Sequence, residues 1–86
     1  MMKQSKVVVA WEEGLHARPS ARLARIAQKF ASTIKLECNG QVANGRSFLS
    51  ILLLCATMGT TLSIEVHGED EDKAIQAVEQ VFTGGE

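Results

Sequence analysis

The sequence predicts an α+β fold, an open-faced sandwich in which a four-stranded antiparallel sheet carries three helices on one face. Two kinds of observation point there. Stretches alternating polar and apolar residues are interleaved with stretches of helical period, in the order β-α-β-β-α-β-α. The alternating stretches need one wet and one buried sheet face, as expected when all helices cover the same side.

Residues 5–11 read as the first strand, centred on the apolar run Val7-Val8-Val9-Ala10. Over residues 17–30 the period becomes helical, with Leu23, Ile26, Ala27 and Phe30 on one face and Pro19 in the first turn, where its missing N–H costs nothing. Residues 33–39 alternate, placing Ile34, Leu36 and Cys38 inward and Lys35 and Glu37 outward. Asn39-Gly40 is a two-residue hairpin signal, because both residue types tolerate positive φ. A short return strand at residues 41–43 stops at the turn Asn44-Gly45. Ser47 is placed to cap a helix over residues 48–55, with Ile51 and Leu53 assigned to the core. After Gly59, residues 60–66 alternate again, with Leu62, Ile64 and Val66 inward. Acids at residues 69–72 suit the positive end of a last helix. Its buried stripe is Ala74, Ile75, Val78, Val81 and Phe82, and Gly84-Gly85 ends it.

Length and composition narrow the function. The 86 residues form one domain, 1–86, with an aliphatic core, since only 5% are aromatic. A net charge of −1 gives no bulk attraction to nucleic acid or anionic membrane. The first six residues lack a signal-peptide core, and the longest apolar run is far shorter than the roughly 20 residues of a membrane span. Cys38 and Cys55 read as buried free thiols in a reducing cytoplasm. His67 has no metal-ligand spacing to His16 or the cysteines, so it reads as a surface residue, with no metal and no cofactor expected.

The chemistry concentrates in Glu13-Gly14-Leu15-His16-Ala17-Arg18-Pro19-Ser20. A glycine turn brings His16 to the start of a helix, whose outward N–H groups and dipole can hold an anion. Arg18 adds a planar fork of donors. These positive surroundings favour the neutral imidazole, which keeps a ring nitrogen available as a nucleophile. A second acid/base group is missing nearby apart from Glu12 and Glu13. A phosphoryl acceptor serving larger enzymes fits better than a self-contained catalyst. The competing reading of a lone histidine at a helix start is a cap or a surface residue.

Gly14-Leu15-His16-Ala17-Arg18-Pro19 resembles the phosphorylation-site motif of the HPr family, the histidine phosphocarriers of the bacterial phosphotransferase system. The similarity extends to Gly45-Arg46-Ser47, like the family's regulatory-serine segment, and to Gly68-Glu69-Asp70-Glu71 at the start of the last helix. The resemblance implies that enzyme I, charged by phosphoenolpyruvate, phosphorylates His16 on Nδ1. Arg18 would then steady the group, and an enzyme IIA domain of a sugar or nitrogen-regulatory branch would receive it. It also implies a partner contact through Phe48, Leu49 and Leu52, and a regulatory kinase for Ser47 in some bacteria. Helix capping is the simpler role for that serine.

Arg18, Arg22, Arg25 and Lys29 recur at helical spacing, giving one basic face that begins at the proposed site. It is either an ordinary solvated face or a docking surface for acidic partners, with Arg22 and Arg25 as its contacts. The leucine-rich second helix cannot bury every apolar residue against one layer. Its remainder suits a partner, or self-association as the alternative to a monomer. Glu13 and Cys55 depart from the family pattern, Glu13 by adding an acid to the site and Cys55 by a change read as packing. Two rival functions remain: a regulatory module signalling through its phosphorylation state, and an independent enzyme using His16.

Overall fold

A computed structural model describes residues 2–83; the helix stop at Gly84-Gly85 lies outside the described residues. Seven elements follow the expected order: β1 (Met2–Val8), α1 (Ala17–Ala27), β2 (Thr33–Cys38), β3 (Gln41–Asn44), α2 (Phe48–Leu52), β4 (Thr61–His67) and α3 (Glu71–Thr83). The four strands form one antiparallel sheet in the order β1-β4-β2-β3. Central strand β4 pairs Leu62 with Val7 on one side and Ile64 with Leu36 on the other.

Alternation works as read in β2 and β4. Ile34, Leu36, Cys38, Leu62, Ile64 and Val66 are buried, whereas Lys35 and Glu37 are exposed. The helices answer with Leu23, Ala27, Ile51, Ala74, Val78 and Val81. Each fully buried leucine or isoleucine in such a core is worth about 1.5–3 kcal/mol over exposure. Asn39 at φ +52° and Gly40 at φ +81° make the expected hairpin turn.

The first strand is displaced from its expected position. It begins at Met2 and ends at Val8, not at residues 5 and 11. The polar N-terminal half hid the strand because its core-side polar residues meet polar partners on α3. Ser5 Oγ donates to Glu79 Oε2, and Lys3 Nζ lies 3.2 Å from Asp72 Oδ1. The valine run is also not uniformly buried: Val8 is exposed between Val7 and Val9.

Both early helices end sooner than their apolar patterns suggested. After Ala27 the chain tightens into three-residue bonds, Lys29 N to Ile26 O at 3.0 Å and Phe30 N to Ala27 O at 3.3 Å. After Leu52 it does so again, with Leu54 N donating to Ile51 O and Cys55 N to Leu52 O. That change of pitch rotates the next side chains. Leu53, expected in the core, is 64% exposed, and Leu54 is buried in its place. Cys38 is buried as expected, but Cys55 is exposed. Its φ of +51° makes the departure at this position a backbone matter, not a packing one, since only glycine adopts that region freely.

Asp70 ties two connections together at one end of the sheet. Its carboxylate accepts from the N–H groups of Ala31 and Ser32 and from the Ser32 hydroxyl, joining the α1–β2 connection to the start of α3. These hydrogen bonds, chiefly the one from the Ser32 side chain, hold its carboxyl below the usual carboxylate range.

Candidate functional site

His16 is the N-cap residue of α1, with extended backbone (φ −83°, ψ −169°) and no side-chain capping bond. Its carbonyl starts the helix by accepting from Ser20 N at 3.1 Å. The first turn contains Arg18 and no acidic residue, so the positive end of the helix is not offset from within. Arg18 is exposed and His16 half-buried.

The turn before the helix is held by a second segment. Leu15 N donates to Ala56 O at 2.8 Å, and Gly14 N to Trp11 O at 2.9 Å. Gly14 has φ +73°, and a Cβ there would collide with the Ala56 carbonyl, so two constraints require glycine. Ser20 Oγ donates to Leu15 O at 3.2 Å, bracing the turn from the helix side. Buried Leu15 and Ala56 seal this junction. Trp11 packs on Phe82 with ring centroids 5.3 Å apart, which anchors the loop's beginning to α3.

Glu13 approaches His16 from one side. Its Oε1 lies 3.8 Å from Nε2, too long for a hydrogen bond, and the carboxylate is 80% exposed. It acts through its field, screened by water. No group of three or more His, Cys, Asp or Glu residues placed to hold a metal occurs among the described residues.

The segment that anchors Gly14 and Leu15 is the one leaving α2, so the histidine turn and the apolar helix are mechanically joined. Ser47 caps α2, its Oγ accepting from Ser50 N at 3.2 Å, while Ser50 Oγ accepts from Asn44 N at 3.0 Å. Phe48 and Leu49 are exposed and Leu52 is half-buried. Ile51 alone of the helix is fully buried. Leu53 and Met58 extend the exposed apolar surface beyond α2. That extension leaves no signal in the sequence, because nothing in a run of leucines marks where helical pitch ends. Arg25 is exposed on α1 and Arg22 half-buried.

Four antiparallel strands with three helices, and a histidine at the N-cap of the first, define a small open-faced α+β domain. The family model for the HPr component of the phosphotransferase system, covering its phosphorylation site, matches residues 3–83. A relative in Xylella fastidiosa, phosphocarrier protein HPr, is 36% identical over 81 residues, spanning 94% of this chain and 91% of its own length. The solved histidine-containing phosphocarrier of Mycoplasma superposes with a TM-score of 0.92 at 33% identity, covering 95% of this chain and 93% of that one. A solved HPr dimer from Thermoanaerobacter tengcongensis gives 0.78 at 31% identity, over 98% and 99%. This chain belongs to the HPr family and is a phosphocarrier of the phosphotransferase system. Its relatives are named as phosphocarriers, not as enzymes. Among the described residues no helix is long and apolar enough to cross a membrane.

Proposed function

We propose that His16 accepts a phosphoryl group from enzyme I, itself charged by phosphoenolpyruvate, and passes it to an enzyme IIA domain in the cytoplasm. The observation that carries this reading is the position of His16 as the N-cap of α1, with Arg18 in an acid-free first turn. The Nδ1 lone pair attacks phosphorus, and the bond from phosphorus to the donor breaks with its electron pair leaving on the donor. The proton stays on Nε2, so the phosphorylated ring is cationic until the group moves on. The guanidinium of Arg18 and the helix N-terminus balance the phosphoryl oxygens.

Phe48, Leu49 and Leu52 supply the apolar part of the docking face, and Arg22 and Arg25 its cations, for acidic partners. Ser47 remains a helix cap whose phosphorylation by a regulatory kinase would add negative charge to this face and repel such partners. The chain works as a single domain and a monomer in this reading.

A chase experiment separates the carrier from a regulatory module. The phosphorylated chain is freed of enzyme I and mixed with an enzyme IIA domain from the same organism. Loss of the group from the chain with its appearance on the acceptor supports the carrier. A stable phosphorylated chain that no acceptor discharges, yet which binds a target protein, supports the signalling module.

A further inference from the structure

Helix α1 is flanked by α2 on one side and α3 on the other. On the α2 side, Gln28 reaches the Arg46 carbonyl at 3.0 Å. On the α3 side a groove remains, floored by Ile26, Phe30, Ala77 and Val81 and edged by Arg22, Lys29 and Gln80. Ala77 and Val81 are one helical turn apart on α3, and the groove's other wall is Ile26 of α1 with Phe30 in the turn beyond it, so two apolar pairs line it. Ile26 and Phe30 are only partly covered by the core they pack against.

Charge is sorted across this region. Residues 17–30 contain no Asp or Glu. The acids of α3 are turned to other neighbours: Glu71 Oε1 accepts from Gly68 N, Asp72 meets Lys3, and Glu79 accepts from Ser5. Among the described residues no acidic side chain lines the groove, although the whole chain has a net charge of −1. An apolar trench with a cationic rim complements a helix with an apolar stripe and acidic flanks.

We infer that the α1–α3 groove docks an acidic amphipathic helix of a partner protein. The helix lies as a third element beside α1 and α3, with its apolar residues at three- and four-residue spacing between the two facing pairs. Helix α1 has 11 residues, which matches a partner segment of about three turns. Its apolar pairs lie on the other flank of α1 from Phe48, Leu49 and Leu52, and Arg22 stands on the border that the groove shares with that docking face.

The test uses the full ¹⁵N-labelled chain and a synthetic helical peptide of about 14 residues, with leucines at three- and four-residue spacing and glutamates on its flanks. The control peptide carries glutamine for every glutamate. Amide shifts that saturate and cluster at Ile26, Phe30, Ala77 and Val81 are expected, with binding that weakens as salt rises. The glutamine peptide and the chain variant Lys29→Glu/Gln80→Glu should each bind about tenfold more weakly, and Leu49→Asp should bind within about twofold of the unaltered chain. Should the double variant fail to give a folded spectrum, Ala77→Gln on the groove floor replaces it. Shifts centred on α2, equal binding of the glutamine peptide, or no saturable shift up to about 1 mM would overturn the proposal. So would groove shifts that follow the concentration of the chain alone, which would make a second copy the occupant. None of these readouts depends on phosphorylation, so they are independent of the fate of the carrier reading.

Discussion

The carboxylate of Glu13 stands 3.8 Å from Nε2 of His16, on the edge of the ring that does not include Nδ1. A negative charge on that edge favours a proton at Nε2, which leaves Nδ1 as the nucleophile, and stabilises the cationic ring of the phosphorylated form. The same charge opposes an incoming phosphoryl donor. Because Glu13 is largely exposed, each effect is small. Glu13→Gln should therefore change the rate of phosphoryl acceptance by less than about fivefold, with the difference shrinking at high salt. Rapid-quench measurement of the phosphorylated fraction checks this; a hundredfold loss would show that Glu13 touches the reacting groups.

The left-handed residues bracketing the site predict opposite changes in stability. Gly14→Ala puts a Cβ against the Ala56 carbonyl at φ +73° and should cost about 2 kcal/mol or more. Cys55→Gly relieves a non-glycine residue at φ +51° and should add roughly 0.5–1 kcal/mol. Urea midpoints of the two variants, at unchanged m-value, check both signs.

Ser47→Ala removes the cap of α2 and should cost about 1 kcal/mol. Ser47→Asp keeps a capping oxygen, so it should retain most of that stability while slowing transfer to an acidic partner. Thermal unfolding and the chase with enzyme IIA measure the two effects separately.

Asp70 gives the fold an acid-sensitive tie. Its pKa is lowered in the folded chain, so its contribution is present above the unfolded carboxylate value and is lost as pH falls through the folded value. The loss should begin below about pH 4. In Asp70→Asn the slope of stability against pH in that window should flatten. Urea titrations at a series of acidic pH values check it, and an unchanged slope would mean that other carboxylates set the acid limb.

The docking face makes its own prediction. Leu49 is 59% exposed, so Leu49→Asp should leave folding within about 0.5 kcal/mol while sharply reducing phosphoryl transfer from enzyme I. A parallel thermal melt and transfer assay show whether the two quantities separate.

Much of this architecture was legible because it depends on local rules. The alternation of residues 33–38 and 61–67, the Asn39-Gly40 turn and the Ser47 cap each follow from chemistry within a few neighbouring residues. The placement of His16 and Arg18 at the start of α1 was legible because the glycine turn and Pro19 mark the helix start between them. What was not legible turns on long-range partners and on where a helix changes pitch. β1 could not be traced back to Met2 without knowing that Glu79 and Asp72 would meet its polar residues from α3. The exchange of Leu53 for Leu54 in the core depends on where α2 tightens, and two adjacent leucines do not record that. The anchoring of Leu15 by Ala56 likewise joins segments far apart in sequence.

The role of His16 as phosphoryl acceptor is tested by the intact mass of the chain after incubation with phosphoenolpyruvate and enzyme I from the same organism, beside a His16→Ala control. The unaltered chain should gain a single acid-labile phosphoryl group and the control none. An unmodified mass with active enzyme I, or the same gain in His16→Ala, would contradict it.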